Sequence, residues 1–419
     1  MNDASQDHAP LGLTYAIQHL DETAANRAPY LLCKGFVQAG WNVEIVTTED
    51  AERNAGMDRL WNSVPIHKVG HTGARRKQLK LGLRLLLPPA RNRIAISWVW
   101  DWHCFALALA KRLFGSPYAI VLDTYTFKAS PGGAQRLREG LRYGFVLRHA
   151  DVILAEAPKC LEHARRHLAG SSRSLLVPSC YWMADLRAVE SRWESERYDP
   201  PRRPVILYVG RILPRKNIHD LIAAFHQVSH AFPEWSIEVR GPVADPDYLR
   251  RLRAQAAELG LEDRVRFFEA EWGEDVYRRY REAAIVALPS QAEGFPSMIL
   301  EAMFFGGAIV ASSVGYVGYQ LGEDEREDAA GLLHAAGDVD ALSGHLQALM
   351  ASPDLRAGLA ARARKRLLDL FTWERYFPML ESTFREIIER SRARRRGAGR
   401  KRLRRPALPV VHGKLDEAA

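Results

Sequence analysis

Residues 293–301 read Glu-Gly-Phe-Pro-Ser-Met-Ile-Leu-Glu. They follow an apolar run, 285–289, that reads as a buried strand. They lead into Ala302-Met303-Phe304-Phe305, which continues a helical pattern as far as Gly306-Gly307. The order is strand, tight loop, helix. Pro296 suits the first helical position, where its missing N–H costs nothing. Gly294 lets backbone approach a ligand with no side chain in the way. The free N–H groups of the first helical turn carry partial positive charge and suit a phosphate. Glu293 precedes the helix, and Glu301 stands about 7.5 Å along the axis from Pro296. Two carboxylates flanking an anion site at that distance fit a long ligand with a phosphate centre and hydroxyls at both ends, the shape of a nucleotide-sugar. Two isolated glutamates more often are a loop charge and an exposed helix residue, so the surroundings decide.

A chain of 419 residues is too long for one core and implies two or three domains. The apolar share of 47% and charged share of 26% are those of a soluble globular protein. Cys33, Cys104, Cys160 and Cys180 are widely spaced, which argues against a disulfide framework or zinc site and for a reducing, cytoplasmic setting. Residues 1–10 lack a basic-then-apolar signal pattern. The most apolar region, 94–110, is interrupted by Asp101 and His103 and is too short to span a bilayer. The net charge of +9 is regional: residues 390–405 hold ten basic side chains and residues 59–100 nine, both without an acid. Such clustering points to an anionic partner surface.

Strands at 11–17 and 41–48 around a helix at 26–39 give a βαβ opening. Further strands are expected at 64–69, 94–100, 118–123, 151–156 and 174–178, with helices near 104–114 and 133–148. Residues 75–87 set Leu79, Leu83, Leu86 and Leu87 at helical spacing, with Lys77, Lys80 and Arg84 on another face. That pattern suits an anionic membrane surface, and equally a core helix with a solvated basic face. The charged, proline-containing stretch 192–204 reads as a linker. Beyond it, the nearly continuous apolar strand 205–209 implies a parallel sheet covered on both faces. Gly210-Arg211 follows, then Lys216 and a helix over 217–228. Strands at 236–240, 265–268 and 308–311, and helices from 339 to 389, complete the series. The expected domains are 1–195, 196–389, with the last helix packing back on the first, and a basic disordered tail, 390–419.

The 293–303 segment resembles the EGFPxxxLEAM motif of the retaining glycosyltransferases of family 4, and Gly210-Arg211 with Lys216 resembles the same family's Gly-Arg-x4-Lys. Phe371-Thr372-Trp373-Glu374 is similar to its FSWE start of a closing helix. The likeness extends over most of 11–385 and is stronger in the C-terminal half. It implies an α/β GT-B fold, two Rossmann-like domains facing a cleft. It assigns Glu293 to the donor sugar, Glu301 to the ribose hydroxyls, and Arg211 and Lys216 to the donor diphosphate, with Gly294, Phe295 and Ser297 in the donor-binding loop. Fixed cations there stabilise the charge that develops on the departing diphosphate. The implied reaction moves a hexose from a nucleoside diphosphate sugar to a glycan or lipid-linked acceptor with retention.

The sequence also departs from the family. The loop Gln18–Thr23 has no glycine pair. Leu122-Asp123 stands where the family has His-Asp, so Asp123 either handles the acceptor hydroxyl, as orienter or base, or caps a loop. Gly315-Tyr316-Val317-Gly318-Tyr319 replaces Gly-Gly-x-x-Glu, which leaves the donor open. No metal and no cofactor is expected, the nucleoside diphosphate sugar being a co-substrate. Asp245-Pro246-Asp247 has the form of a metal-binding triad but is expected to open a helix away from the phosphate loop. Expected partners are the nucleotide-sugar donor, a saccharide or lipid-linked acceptor, and an anionic membrane surface through 75–93 and 390–405, giving a peripheral membrane setting. Nucleic acid is not expected. The alternatives are a GT-B nucleotide-sugar epimerase, which would turn over without an acceptor, and a non-catalytic membrane- or RNA-binding protein.

Overall fold

The computed structural model describes residues 10–17, 27–47, 66–68, 92–98, 103–122, 144–167, 173–271, 273–324 and 328–395. Asp123, the Gln18–Thr23 loop, most of the basic 75–93 stretch and the tail beyond 395 lie outside these residues.

Two parallel sheets organise the chain. The first contains β1 (Gly12–Ile17), β2 (Asn42–Thr47), β3 (Ile66–Lys68), β4 (Arg93–Trp98), β5 (Tyr118–Leu122), β6 (Val152–Ala155) and β7 (Arg173–Leu176), in the order β3-β2-β1-β4-β5-β6-β7. The second contains β8 (Arg203–Val209), β9 (Ser236–Arg240), β10 (Val265–Phe268), β11 (Ala283–Leu288), β12 (Ala308–Ser312) and β13 (Leu332–His334), in the order β10-β9-β8-β11-β12-β13. Central strands β5, β6, β11 and β12 are buried at every position. Their runs, apolar throughout except for Ser312 at the end of β12, suit a parallel sheet covered on both faces, where alternation would waste half the core. In each sheet the strand order reverses once, between β1 and β4 and between β8 and β11. In open α/β sheets a ligand sits at such a reversal, beyond the carboxyl ends of the strands.

The described helices of the first half are α1 (Arg27–Gln38), α2 (His103–Phe114), α3 (Pro158–His167) and α4 (Met183–Ser195), and residues 144–149 are also helical. Those of the second half are α5 (Ile218–Ser229), α6 (Pro246–Glu258), α7 (Glu274–Glu282), α8 (Ser297–Phe305), α9 (Val317–Leu321), α10 (Val339–Ala351), α11 (Pro353–Leu370) and α12 (Trp373–Arg395). Helix α4 carries the chain from one sheet to the other. Trp182, just before it, donates its indole N–H to Leu31 O at 2.8 Å, while Trp193 near its end packs on Phe305 and donates to Glu274. Residues 192–195, read as linker, are therefore the last turn of a helix whose apolar side has a partner.

Helix α12 makes the return crossing. Phe377 and Phe384 pack on Phe36, and Trp41 donates to Glu381 at 2.9 Å. The Arg173 guanidinium meets the Glu386 carboxylate through two bonds of 2.6 and 2.8 Å, the fork geometry that makes arginine pairs directional. The helix runs to Arg395, past residue 389 where the sequence pattern ended it. Arg390 pairs with Glu386, and Arg392 donates to Asn92 at 2.7 Å. The start of the basic run is thus ordered by the first sheet. Arg93, counted with the basic stretch 75–93, lies on β4, and its guanidinium is held by Glu44 at 2.8 Å. Among the described residues, no helix is long and apolar enough to cross a membrane.

Candidate functional site

The loops after β8 and β11 flank the strand reversal of the second sheet, and they hold the residues singled out in the sequence. After β8 the chain turns at Gly210 (φ 154°) against the loop that follows β9, at Gly241 (φ 148°). A Cβ on Gly241 would stand 2.1 Å from Gly210 O, so only glycine allows the two turns to touch. The turn is fixed from below by Tyr208, whose hydroxyl donates to Arg211 O at 3.0 Å. Burial and then the nearby Glu293 charge push that phenol well above its ordinary range. Arg211 itself is exposed at the rim.

A short 3-10 turn, Pro214–Lys216, follows and ends at Asn217 in the left-handed conformation (φ 57°, ψ 32°). Asn tolerates this region better than other side chains. Asn217 is buried, accepts from Gln291 at 3.3 Å and donates to Asp220. Gln291 N–H also donates to Arg215 O at 2.9 Å. These bonds zip the 211–217 loop to the 289–293 loop. The consequence is the central contact of the site: Lys216 Nζ donates to Glu293 Oε1 at 2.5 Å, with the two side chains 14% and 6% exposed.

The Glu293–Gly294 backbone is gripped from the other side. Tyr316 N–H donates to Gly294 O at 3.0 Å. Gly315 has φ 62°, and a Cβ there would lie 2.2 Å from Glu293 O. The sequence departure at 315–319 therefore still supplies the glycine that this approach requires. Helix α8 then begins at Ser297. Pro296, expected as the first helical residue, is its N-cap, extended at φ −68°, ψ 120°, with no side-chain cap. Within the first turn Ile299 N–H donates to Pro296 O at 3.2 Å, and no side chain caps the helix start, an end whose partial positive charge suits an anion. Gln320 supports the turn by donating to Pro296 O at 3.1 Å.

Glu301 lies one turn into α8, on a helix buried along its length from Met298 to Phe305. A buried carboxylate must be partnered, and Tyr181 OH donates to Glu301 Oε1 at 2.7 Å. Tyr181 precedes α4 and is also buried. Sequence reading missed it because the two residues are 120 positions apart and neither periodicity nor motif links them. Phe295 packs edge-on against Phe371 and Tyr319, with centroids at 5.7 and 6.4 Å. Tyr316 crosses to the first half, where its hydroxyl meets Cys160 Sγ at 3.2 Å. The structure thus brings Lys216, Glu293, Gly294 and the α8 N-terminus together, with Arg211 at the edge and Glu301 behind.

The Asp245-Pro246-Asp247 segment is nearer to this loop than expected, since Asp245 N–H donates to Ile212 O at 3.1 Å. Its carboxylates are nevertheless engaged elsewhere. Asp245 caps α6 by accepting from Tyr248 N–H at 2.9 Å, and Asp247 pairs with Arg250 at 2.6 Å. Among the described residues no group of three His, Cys, Asp or Glu side chains converges in a way that could hold a metal ion.

Two family models match: the glycosyl transferase 4-like domain over residues 23–180 and glycosyl transferases group 1 over residues 189–366. Together they span most of the chain, which belongs to the group 1 glycosyltransferases of GT-B fold. Curated relatives include D-inositol 3-phosphate glycosyltransferases. That of Salinispora tropica is 32% identical over 204 residues, 46% of this chain and 41% of the relative. That of Corynebacterium efficiens is 30% identical over 250 residues, 57% of each. The chain thus spans about half the length of the curated relatives it matches. Among solved structures, sucrose-phosphate synthase from Thermosynechococcus elongatus superposes with a TM-score of 0.70 at 21% identity, covering 91% of this chain and 100% of that one. Anabaena HepE, solved in complex with UDP, superposes with a TM-score of 0.69 at 16% identity, covering 89% and 100%. At these identities the likeness establishes the two-domain α/β fold.

Proposed function

We propose that the protein transfers a hexose from a nucleoside diphosphate sugar to a hydroxyl of a glycan or lipid-linked acceptor, with retention at the anomeric carbon. The observation that carries this is the Lys216–Glu293 contact at the strand reversal, beside the uncapped N-terminus of α8. Breaking the sugar–phosphate bond leaves a second negative charge on the terminal phosphate of the leaving diphosphate. On this reading Arg211, Lys216 and the α8 N-terminus supply the positive charge that receives it, which lowers the barrier. When the diphosphate binds, Lys216 turns to it and Glu293 is released to accept hydrogen bonds from sugar hydroxyls. Glu301 takes the ribose hydroxyls. Asp123 would orient the acceptor hydroxyl or take its proton.

The reaction on this reading needs no metal and no cofactor, because protein cations carry the leaving group. Activity with the matching nucleotide-sugar is then unchanged in EDTA, whereas Lys216→Met loses at least about a hundredfold in rate. Full loss in EDTA would reject the metal-free mechanism. A fully active Lys216→Met enzyme would reject the site. The basic stretches 75–93 and 390–405 suit an anionic membrane surface near a lipid-linked acceptor. Equal recovery of the protein on neutral and anionic vesicles would reject that part.

A further inference from the structure

The two chain crossings between the sheets run side by side at one point. Tyr181 forms a parallel bridge with Thr372. Its N–H donates to Phe371 O at 3.2 Å, and its carbonyl accepts from Trp373 N–H at 3.0 Å. Its backbone is therefore clamped by the second crossing before α12 begins. Its ring is buried, and its hydroxyl reaches Glu301 Oε1 at 2.7 Å. Trp182, the next residue, stacks over Trp373 and packs edge-on against Phe377. The phenol thus extends from a rigid part of the molecule.

Glu301 lies in very different surroundings. Its neighbours along α8, from Met298 to Phe305, are buried apolar side chains apart from Glu301 itself. A carboxylate in such a helix rotates to whichever donor lies in reach, and its direction decides which hydroxyls it can accept from. Tyr181 fixes one oxygen with a strong, charge-assisted bond.

We propose that Tyr181 is a positioning residue for ribose recognition: by holding Glu301 from the inter-sheet crossing, it sets the carboxylate toward the ribose hydroxyls of the nucleotide. The inference rests on the reading of Glu301 given above. It goes beyond that reading by making a residue outside the donor half responsible for sugar-ring selectivity.

The test is titration calorimetry of the full chain with UDP, GDP and ADP, each beside its 2′,3′-dideoxy analogue. Wild type is expected to bind one ribonucleotide at least about tenfold more tightly than its dideoxy partner, the strength of a hydrogen bond to a charged group. Tyr181→Phe keeps the ring and removes only the hydroxyl. It is expected to weaken the ribonucleotide about tenfold and leave the dideoxy analogue where it was, collapsing the ratio. In a Glu301→Ala background, Tyr181→Phe is expected to change neither constant, since the group it orients is gone. A purely structural role would weaken both ligands together, and an unchanged ratio in Tyr181→Phe would overturn the proposal. If Tyr181→Phe does not fold, Glu301→Ala decides: it removes the acceptor, and an unchanged ratio there would show that Glu301 does not read the ribose and would overturn the proposal. Absence of binding by wild type to any of the three nucleotides would overturn the functional reading itself, which is a separate outcome.

Discussion

Lys216 and Glu293 are paired in the structure, and on the proposed mechanism they would act on different groups, so a double-mutant cycle separates the two roles. Their contact is 2.5 Å, with side chains 14% and 6% exposed. Removing the lysine alone, as in Lys216→Met, leaves a nearly buried carboxylate without its cation. Breaking a buried pair in this way costs about 3–5 kcal/mol, and the residual exposure of this pair places it near about 3. Glu293→Gln keeps an acceptor for the ammonium and costs about 1–2 kcal/mol. The double variant removes both charges and is expected to be more stable than Lys216→Met alone by about 1–2 kcal/mol. Native-state hydrogen exchange of the β8 and β11 amides is the suitable assay, because it reads this half without assuming that a two-domain chain unfolds in one step. Three kcal/mol appears there as exchange about two decades faster. Nucleotide-sugar turnover must not recover with stability: the double variant stays as inactive as Lys216→Met. Strict additivity of the two single effects would refute the coupling. Recovery of turnover in the double variant would refute the catalytic role of the lysine.

Three further outcomes follow from the packing. Gly315→Ala places a Cβ within 2.2 Å of Glu293 O at φ 62°, so it is expected to displace the Glu293 loop and lower nucleotide affinity at least about tenfold while far-UV circular dichroism stays native. Glu238 is penalised by burial, but hydrogen bonds from Arg240 and Arg203 outweigh this and hold its pKa below the ordinary 4.5. A depressed carboxyl stabilises the fold above its unfolded pKa and loses that contribution as pH falls through the folded value. Acid-unfolding curves of Glu238→Gln are therefore expected to be flatter below pH 4.5 than those of wild type. Cys33 and Cys180 are buried, and burial is the main cause that pushes both thiols up, so a thiol reagent at neutral pH is expected to leave them unmodified until the chain unfolds.

The fold was legible where strands are central. Stretches such as 285–288 and 308–311 are apolar without interruption, as suits a doubly covered strand. The Gly210–Lys216 and Glu293–Glu301 segments stood out through their resemblance to family motifs, since two cations at a turn or two glutamates alone more often are surface charges. What escaped was long-range. Nothing local in 178–184 announces that Tyr181 reaches Glu301, and Arg93 reads as one more cation until β2 brings Glu44 beside it. Pro296 was displaced by one position because a proline after a turn suits either side of a helix start. Asp245 looked remote because sequence does not show that the loops after β8 and β9 touch through Gly210 and Gly241.

The central claim is that the loops after β8 and β11, with α8, hold a nucleoside diphosphate. It is tested most directly by thermal shifts of the purified protein with UDP, GDP, ADP, dTDP and their sugars, with Glu301→Ala alongside. The account predicts a selective rise in Tm for one nucleotide, reduced or abolished in Glu301→Ala. No shift with any of them, or an equal rise in Glu301→Ala, would contradict it.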